Sequence, residues 1–153
     1  MTSTISRTLD LAIVKRIATD PAIMPHISDD FAPEPELWQP LPNKEICYLV
    51  AIDERGLFGF GAFIPNNWTC WRAHFGFLPR SYGDQALQAW KAMLDWIWAN
   101  TLARRIVGEI CADNRRAIQF VRRAGFEIYG TNRGSWMKDG ILRDQVALGV
   151  SKP

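Results

Sequence analysis

His74 is the side chain best matched to proton transfer near neutrality, since an imidazole titrates at about 6.5 when unperturbed. It stands in an apolar, strand-like stretch, where the alternative role is that of a hydrogen-bonded structural imidazole. His26 lies between Pro25 and a proline-rich segment, and no role is assigned to it. Cys70 and Cys111 have no neighbouring His to generate a thiolate, and with Cys47 they read as free core thiols. A ligand site is more clearly marked at Asp113-Asn114. There an apolar run ends directly at a helix-capping pair, and a capped helix start beside a strand end exposes free backbone N–H groups. Asn114 can cap that helix and also present its amide to a ligand.

The chain that must position these groups has 153 residues, enough for one well-cored domain. Apolar residues make up 48% and charged residues 22%, a composition that argues against disorder. No apolar run reaches membrane-spanning length, and residues 1–10 lack a basic-then-apolar leader, so a cytoplasmic protein without a membrane partner is expected. Three widely spaced cysteines, with no C-x-x-C, exclude a disulfide scaffold and a zinc ribbon, and no metal is expected. The net charge of +2 is unevenly spread. Residues 1–78 carry −3; residues 79–153 carry +5, with nine Arg and three Lys. Arginine suits phosphate and carboxylate groups. No nucleic-acid reading motif accompanies the basic residues, so no nucleic-acid partner is expected.

Apolar positions Leu9, Ile13 and Ile17 predict an amphipathic helix over residues 8–19. Residues 33–42, with four prolines, read as a wrapping surface loop. Strand-forming runs at 46–52 and 57–64 flank the turn Asp53-Glu54-Arg55-Gly56, and 68–78 completes a three-strand meander. Residues 84–101 form a long helix, with Leu87, Trp90, Leu94, Ile97 and Trp98 on one stripe. A buried strand at 106–112 leads into a helix over 115–124, with Ala117, Phe120, Val121 and Ala124 on one face and Gly125 as its stop. Strands follow at 126–129, around 135–137 and at 146–150. This order predicts a single α/β domain over residues 1–153.

Residues 104–130 carry a more specific pattern. Glu109, Ile110, Asn114, Ala117, Gly125, Phe126 and Gly130 fall in register with the strand–helix segment of the GCN5-related N-acetyltransferases, which the chain resembles from about residue 5 to 150. Lys138-Asp139-Gly140 resembles that family's closing hairpin. A weaker resemblance is to phage- and prophage-encoded members. The resemblance implies a mixed, mostly antiparallel central sheet flanked by helices, with acetyl-CoA as cosubstrate and no metal. It implies that Asn114 meets the pantetheine arm, with Ala117 and Phe120 beside it. It implies a pyrophosphate loop formed by Arg80, Ser81, Tyr82, Gly83, Asp84, Gln85 and Ala86, which here keeps the family's Arg and one Gly. It also implies a carbonyl-polarising backbone N–H near Phe77 or Leu78, and places Glu109 where some relatives have a catalytic Glu.

Two bases are therefore on offer, Glu109 and His74, the alternative role of Glu109 being that of a strand carboxylate paired with a nearby Arg. Val121 falls where the family carries its acid Tyr, so Tyr129, Tyr82, Ser81 or water takes over the protonation of the leaving thiolate, or the thiolate leaves unassisted. Among Arg115, Arg116, Arg122 and Arg123, one or two are expected at the cofactor's outer phosphates, and Phe31 and Trp38 at the acceptor site. The reading is direct acetyl transfer to a primary amine on a small molecule or peptide. The alternative is a non-catalytic binding or phage-assembly module of the same fold. A homodimer paired through the C-terminal strand fits either.

Overall fold

The segment Thr-Ile-Ser-Arg-Thr has no apolar alternation, yet Thr4–Thr8 forms a strand, β1, in the computed structural model, which describes residues 2–42 and 44–153. Backbone pairing holds it: β1 lies antiparallel on the buried strand β2, Cys47–Asp53. Asp10 then caps helix α1, Leu11–Ala18, accepting from the Ala12 N–H at 2.9 Å. The helix is thus shorter at its start than apolar spacing alone predicts, because the cap and β1 claim residues 8–10. A four-residue helix, α2 (Met24–Ile27), precedes the proline-rich stretch.

The meander forms as expected, from β2, β3 (Gly56–Pro65) and β4 (Cys70–Phe77). A 3₁₀ turn at Pro79–Ser81 leads into α3, Asp84–Asn100. Then come β5 (Arg105–Cys111) and α4 (Arg115–Arg123). The two short strands expected near 126–129 and 135–137 are one long strand, β6 (Glu127–Lys138), interrupted by two register shifts. A turn with both Asp139 and Gly140 at positive φ returns the chain into β7, Ile141–Ser151.

The seven strands are ordered β1-β2-β3-β4-β5-β7-β6. Only β4 and β5 are parallel neighbours, so the sheet is mixed and mostly antiparallel, with helices on both faces. On one face α3 and α4 bury Trp90, Met93, Ile97 and Val121 against Leu49, Phe58, Phe63 and Ile106. On the other, α1 buries Val14 and Ile17 against Tyr48, Val50 and Phe60. On α4, Ile118 and Val121 are the buried positions, while Ala117, Phe120 and Ala124 are half-buried. No helix among the described residues is long and apolar enough to cross a membrane.

Candidate active site

β4 and β5 pair over only three positions, Cys70–Arg105, Trp71–Ile106 and Arg72–Val107, and then part. Gly108 sits at the parting, where a Cβ would stand 3.3 Å from the Ala73 carbonyl oxygen. Just beyond β4, the Leu78 N–H donates to Phe58 O across β3 at 2.8 Å. Alternation along an antiparallel pair then turns the N–H groups of Phe75 and Phe77 the other way, toward the split. Leu78, paired with β3, is thereby removed as a carbonyl-polarising donor, and the cleft-facing Phe77 and Phe75 are left.

The split opens into a cleft of about 870 Å³ lined from both faces of the sheet. On the helical face, Phe75 and Phe77 meet Phe120 with ring centroids at 5.4 and 5.6 Å, and Trp90 lies 5.0 Å from Phe75. The opposite face carries the even-numbered side chains of β4, as shown by Gly76 against Ile23 and by Arg72 beside Glu109 at 3.5 Å. His74 and Glu109 therefore share one side of the split. The Glu109 carboxylate also accepts from Asn132 Nδ2 at 3.3 Å. Partial removal from bulk water among the cleft walls, and then the Arg72 charge, hold the His74 imidazole below its ordinary pKa. At pH 7 it is a neutral base.

The helical end of the cleft suits an anion. Gly83 caps α3 at φ 98°, a conformation that L side chains rarely adopt, and a Cβ there would meet nothing within 4 Å. No side chain caps this helix, and among the described residues the N–H groups of Asp84, Gln85 and Ala86 have no protein acceptor. Asp84, which would repel an anion, pairs with Arg123 at 3.1 Å. Arg116 lies over the Tyr82 ring at 5.2 Å. Arg116 and Arg123 both line the cleft, whereas Arg122 does not.

Several expected residues are placed elsewhere. Arg80 grips the buried Asp53 carboxylate in two bonds of 2.6 and 3.1 Å, and Gln85 Nε2 donates to the same carboxylate at 2.8 Å. Both side chains thus anchor the loop to the β2–β3 turn, and neither lines the cleft. Ser81 is buried, its hydroxyl donating to Leu78 O. Of the expected loop, Tyr82, Gly83 and Ala86 line the cleft. Tyr129 lies off it, exposed on β6 beneath the Arg105 guanidinium, which removes it as an acid at the split. Phe31 is exposed and Trp38 packs against the α1 core, so neither shapes the cleft. Asn114 caps α4, accepting from the Ala117 N–H at 3.2 Å, and lines the cleft with Ala117 and Phe120.

The roof over the His74 side comes from residues without a local signal. Lys138 Nζ donates to Pro25 O and Ser28 O at 2.8 and 2.9 Å. Asp30 accepts from the N–H groups of Asp139 and Gly140 at 2.9 and 2.8 Å. Those bonds bring α2, with His26, against the β6–β7 hairpin, which contributes Trp136 and Arg143. Arg143 is paired with Asp113. The acids lining the cleft are Glu109, Asp113 and Asp139, so the acidic balance of residues 1–78 does not reach it. No group of three or more His, Cys, Asp and Glu among the described residues is placed to hold a metal.

No family model matches the sequence, and no curated protein matches it. Solved structures match over nearly the whole chain. Spermidine N-acetyltransferase from Vibrio cholerae, in complex with CoA and spermine, has a TM-score of 0.78 at 16% identity, covering 97% of this chain and 95% of that one. Ribosomal-protein-alanine N-acetyltransferase from Brucella melitensis gives 0.72 at 17%, covering 97% and 99%. A GNAT superfamily phosphinothricin acetyltransferase from Sinorhizobium meliloti, in complex with acetyl-CoA, gives 0.71 at 18%, covering 99% and 89%. At such identities the likeness is one of fold: the chain has the architecture of the GCN5-related N-acetyltransferases.

Proposed function

We propose that the chain transfers an acetyl group from acetyl-CoA directly to a primary amine of a small molecule or a peptide end. The observation that carries this reading is the single cleft through the sheet. It runs from the unpartnered α3 N-terminus, past the cleft-facing β4 amides, to His74 and Glu109. The residues fit the cosubstrate: a glycine-capped helix end receives a pyrophosphate, and Arg116 and Arg123 flank it. Bound acetyl-CoA supplies an activated acyl group. The Phe75 and Phe77 N–H groups lie where they can polarise its carbonyl. His74 takes the proton from the attacking amine, and Glu109, held by Arg72, orients that amine. Val121 has no proton to give, Tyr129 is distant and Ser81 is buried, so the departing thiolate is protonated by Tyr82, which lines the cleft, or by solvent.

Saturating acetyl-CoA should raise the melting temperature by about 5–10 °C at a hundredfold excess over Kd. No shift at millimolar acetyl-CoA would sink the reading. A second measurement separates the two helical arginines. Arg116→Ala and Arg123→Ala should each weaken CoA binding by about tenfold in calorimetry. Arg122→Ala, on the side of α4 away from the cleft, should leave it unchanged. Equal affinities in all three variants would place the phosphates elsewhere. A protein that binds acetyl-CoA but acetylates no member of a broad amine panel would favour the non-catalytic alternative, which Val121 at the acid position supports.

A further inference from the structure

Strand register decides which side chains share the His74 side of the cleft. Cross-strand partners project to one face of a sheet, and so do residues two apart on a strand. Glu109 is paired with Ala147, so Gln145 and Arg143 on β7 lie on its face. Arg143 is paired with Trp136, and Ile141 with Lys138, which brings the end of β6 to that face too. Ile23, at the start of α2, covers it from above, 2.5 Å from where a Cβ on Gly76 would stand.

The charges of this chamber are spent on one another. Three carboxylates line it, and each has an arginine: Glu109 with Arg72 at 3.5 Å, Asp113 with Arg143, and Asp139 with Arg143 at 3.9 Å. The Lys138 ammonium is held by the Pro25 and Ser28 carbonyl oxygens. Three cations thus balance three anions. Glu109, on the His74 face, serves one amine. A second ammonium would leave water with no spare carboxylate among the described lining residues, and would face Lys138 and Arg143. A carboxylate on the substrate would have to displace the acids that Arg72 and Arg143 already hold. What the chamber leaves free for a ligand is apolar surface, from Ile23, Pro25, Ile27 and the Trp136 indole.

We propose that the acceptor is a primary monoamine with an uncharged apolar body, its nitrogen at His74 and Glu109 and its body against α2 and Trp136. The inference rests on the acetyl-transfer reading above and narrows its acceptor. The amine nitrogen bonds the acetyl carbonyl carbon as the thioester C–S bond breaks. The amine proton passes to His74, the thiolate takes a proton from Tyr82 or solvent, and an uncharged amide and CoA leave.

The test compares 2-phenylethylamine, 1,4-diaminobutane, spermidine and phenylalanine as acceptors for the full chain at saturating acetyl-CoA. The first has one ammonium and an apolar body. The next two carry further ammonium groups, and phenylalanine adds a carboxylate to the first. The kcat/KM for 2-phenylethylamine should exceed each of the others by about tenfold or more. Trp136→Ala should raise the Michaelis constant for 2-phenylethylamine about tenfold, with acetyl-CoA affinity in calorimetry unchanged. Gln145→Glu sets a carboxylate without an arginine in the chamber, and should shift the preference toward 1,4-diaminobutane about tenfold. Preferred acetylation of either polyamine or of phenylalanine overturns the inference and leaves the acetyl-transfer reading standing. An unchanged Michaelis constant in Trp136→Ala, or an unchanged ranking in Gln145→Glu, overturns it likewise. Absence of acetyl-CoA binding by the wild type overturns both. If Trp136→Ala does not fold, the wild-type ranking and Gln145→Glu decide.

Discussion

Replacing His74 with Gln should lower kcat for acetyl transfer by about 100-fold, the scale of a lost general base. The Michaelis constant for acetyl-CoA should stay near the wild-type value, because His74 lies on the sheet face opposite α3, whose N-terminus is the end proposed above for the phosphates. The pH profile adds a second signature. The cleft walls and the Arg72 charge hold the imidazole below its ordinary value of 6.5, so it is neutral and able to accept a proton at pH 7. The acid limb of kcat/KM should therefore have its midpoint below 6.5, and His74→Gln should abolish it. Arg72→Gln should move the midpoint upward, since a neighbouring cation disfavours the imidazolium. Stability follows the same sign. A depressed imidazole pKa means that the fold resists protonation, so His74 removes stability as the pH falls below its unfolded value and adds none there. Should His74→Gln keep both the rate and the limb while Glu109→Gln loses them, the carboxylate is the base.

The parts of this site that were legible in the sequence have local causes. Alternation and turn residues mark the meander. The apolar stripe of Leu87, Trp90, Leu94 and Ile97 marks α3, and Asp113-Asn114 marks the start of α4. Asn114, His74 and Glu109 reach the cleft because strand parity and helix caps are fixed by short spacing. What was not legible depends on partners far along the chain. β1 is held by backbone bonds to β2, which side-chain periodicity does not register. The roof depends on Lys138 and Asp30, more than a hundred residues apart, and brings His26 and Trp136 to a site that their surroundings in sequence do not suggest. Arg80 and Gln85 have the residue types expected at a phosphate. Their direction is set by Asp53, some thirty positions upstream, which claims both. Residue type places a charge near a loop; the nearest buried countercharge decides which way it points.

That countercharge has the largest expected effect on the fold itself. The Asp53 side chain is wholly shielded from solvent. It accepts from Arg80, Gln85 and the Arg55 N–H. Asp53→Ala leaves the partly buried Arg80 guanidinium without an anion, and the melting temperature should fall by an amount on the order of 10 °C. The chain between Arg80 and Gln85 is the same chain that presents Tyr82 and Gly83 to the cleft. Loss of the clamp should therefore also raise the Michaelis constant for acetyl-CoA, with kcat much less affected. The pH dependence has a definite sign. The Arg80 bonds hold the folded carboxyl far below its ordinary 3.8. Its stabilisation is complete above that unfolded value, and it is lost as the pH falls from there toward strong acid. Asp53→Asn, which cannot ionise, should lack this part of the acid-denaturation limb in a melting series between about pH 2 and 5. A buried ion pair can be replaced by apolar side chains at little cost, whereas removal of one partner is severe. Asp53→Leu/Arg80→Leu should accordingly recover much of the melting temperature lost by Asp53→Ala. If Asp53→Ala melts like the wild type with an unchanged Michaelis constant, the clamp positions nothing. If the double variant melts no higher than Asp53→Ala, the stranded guanidinium is not the cause of the loss.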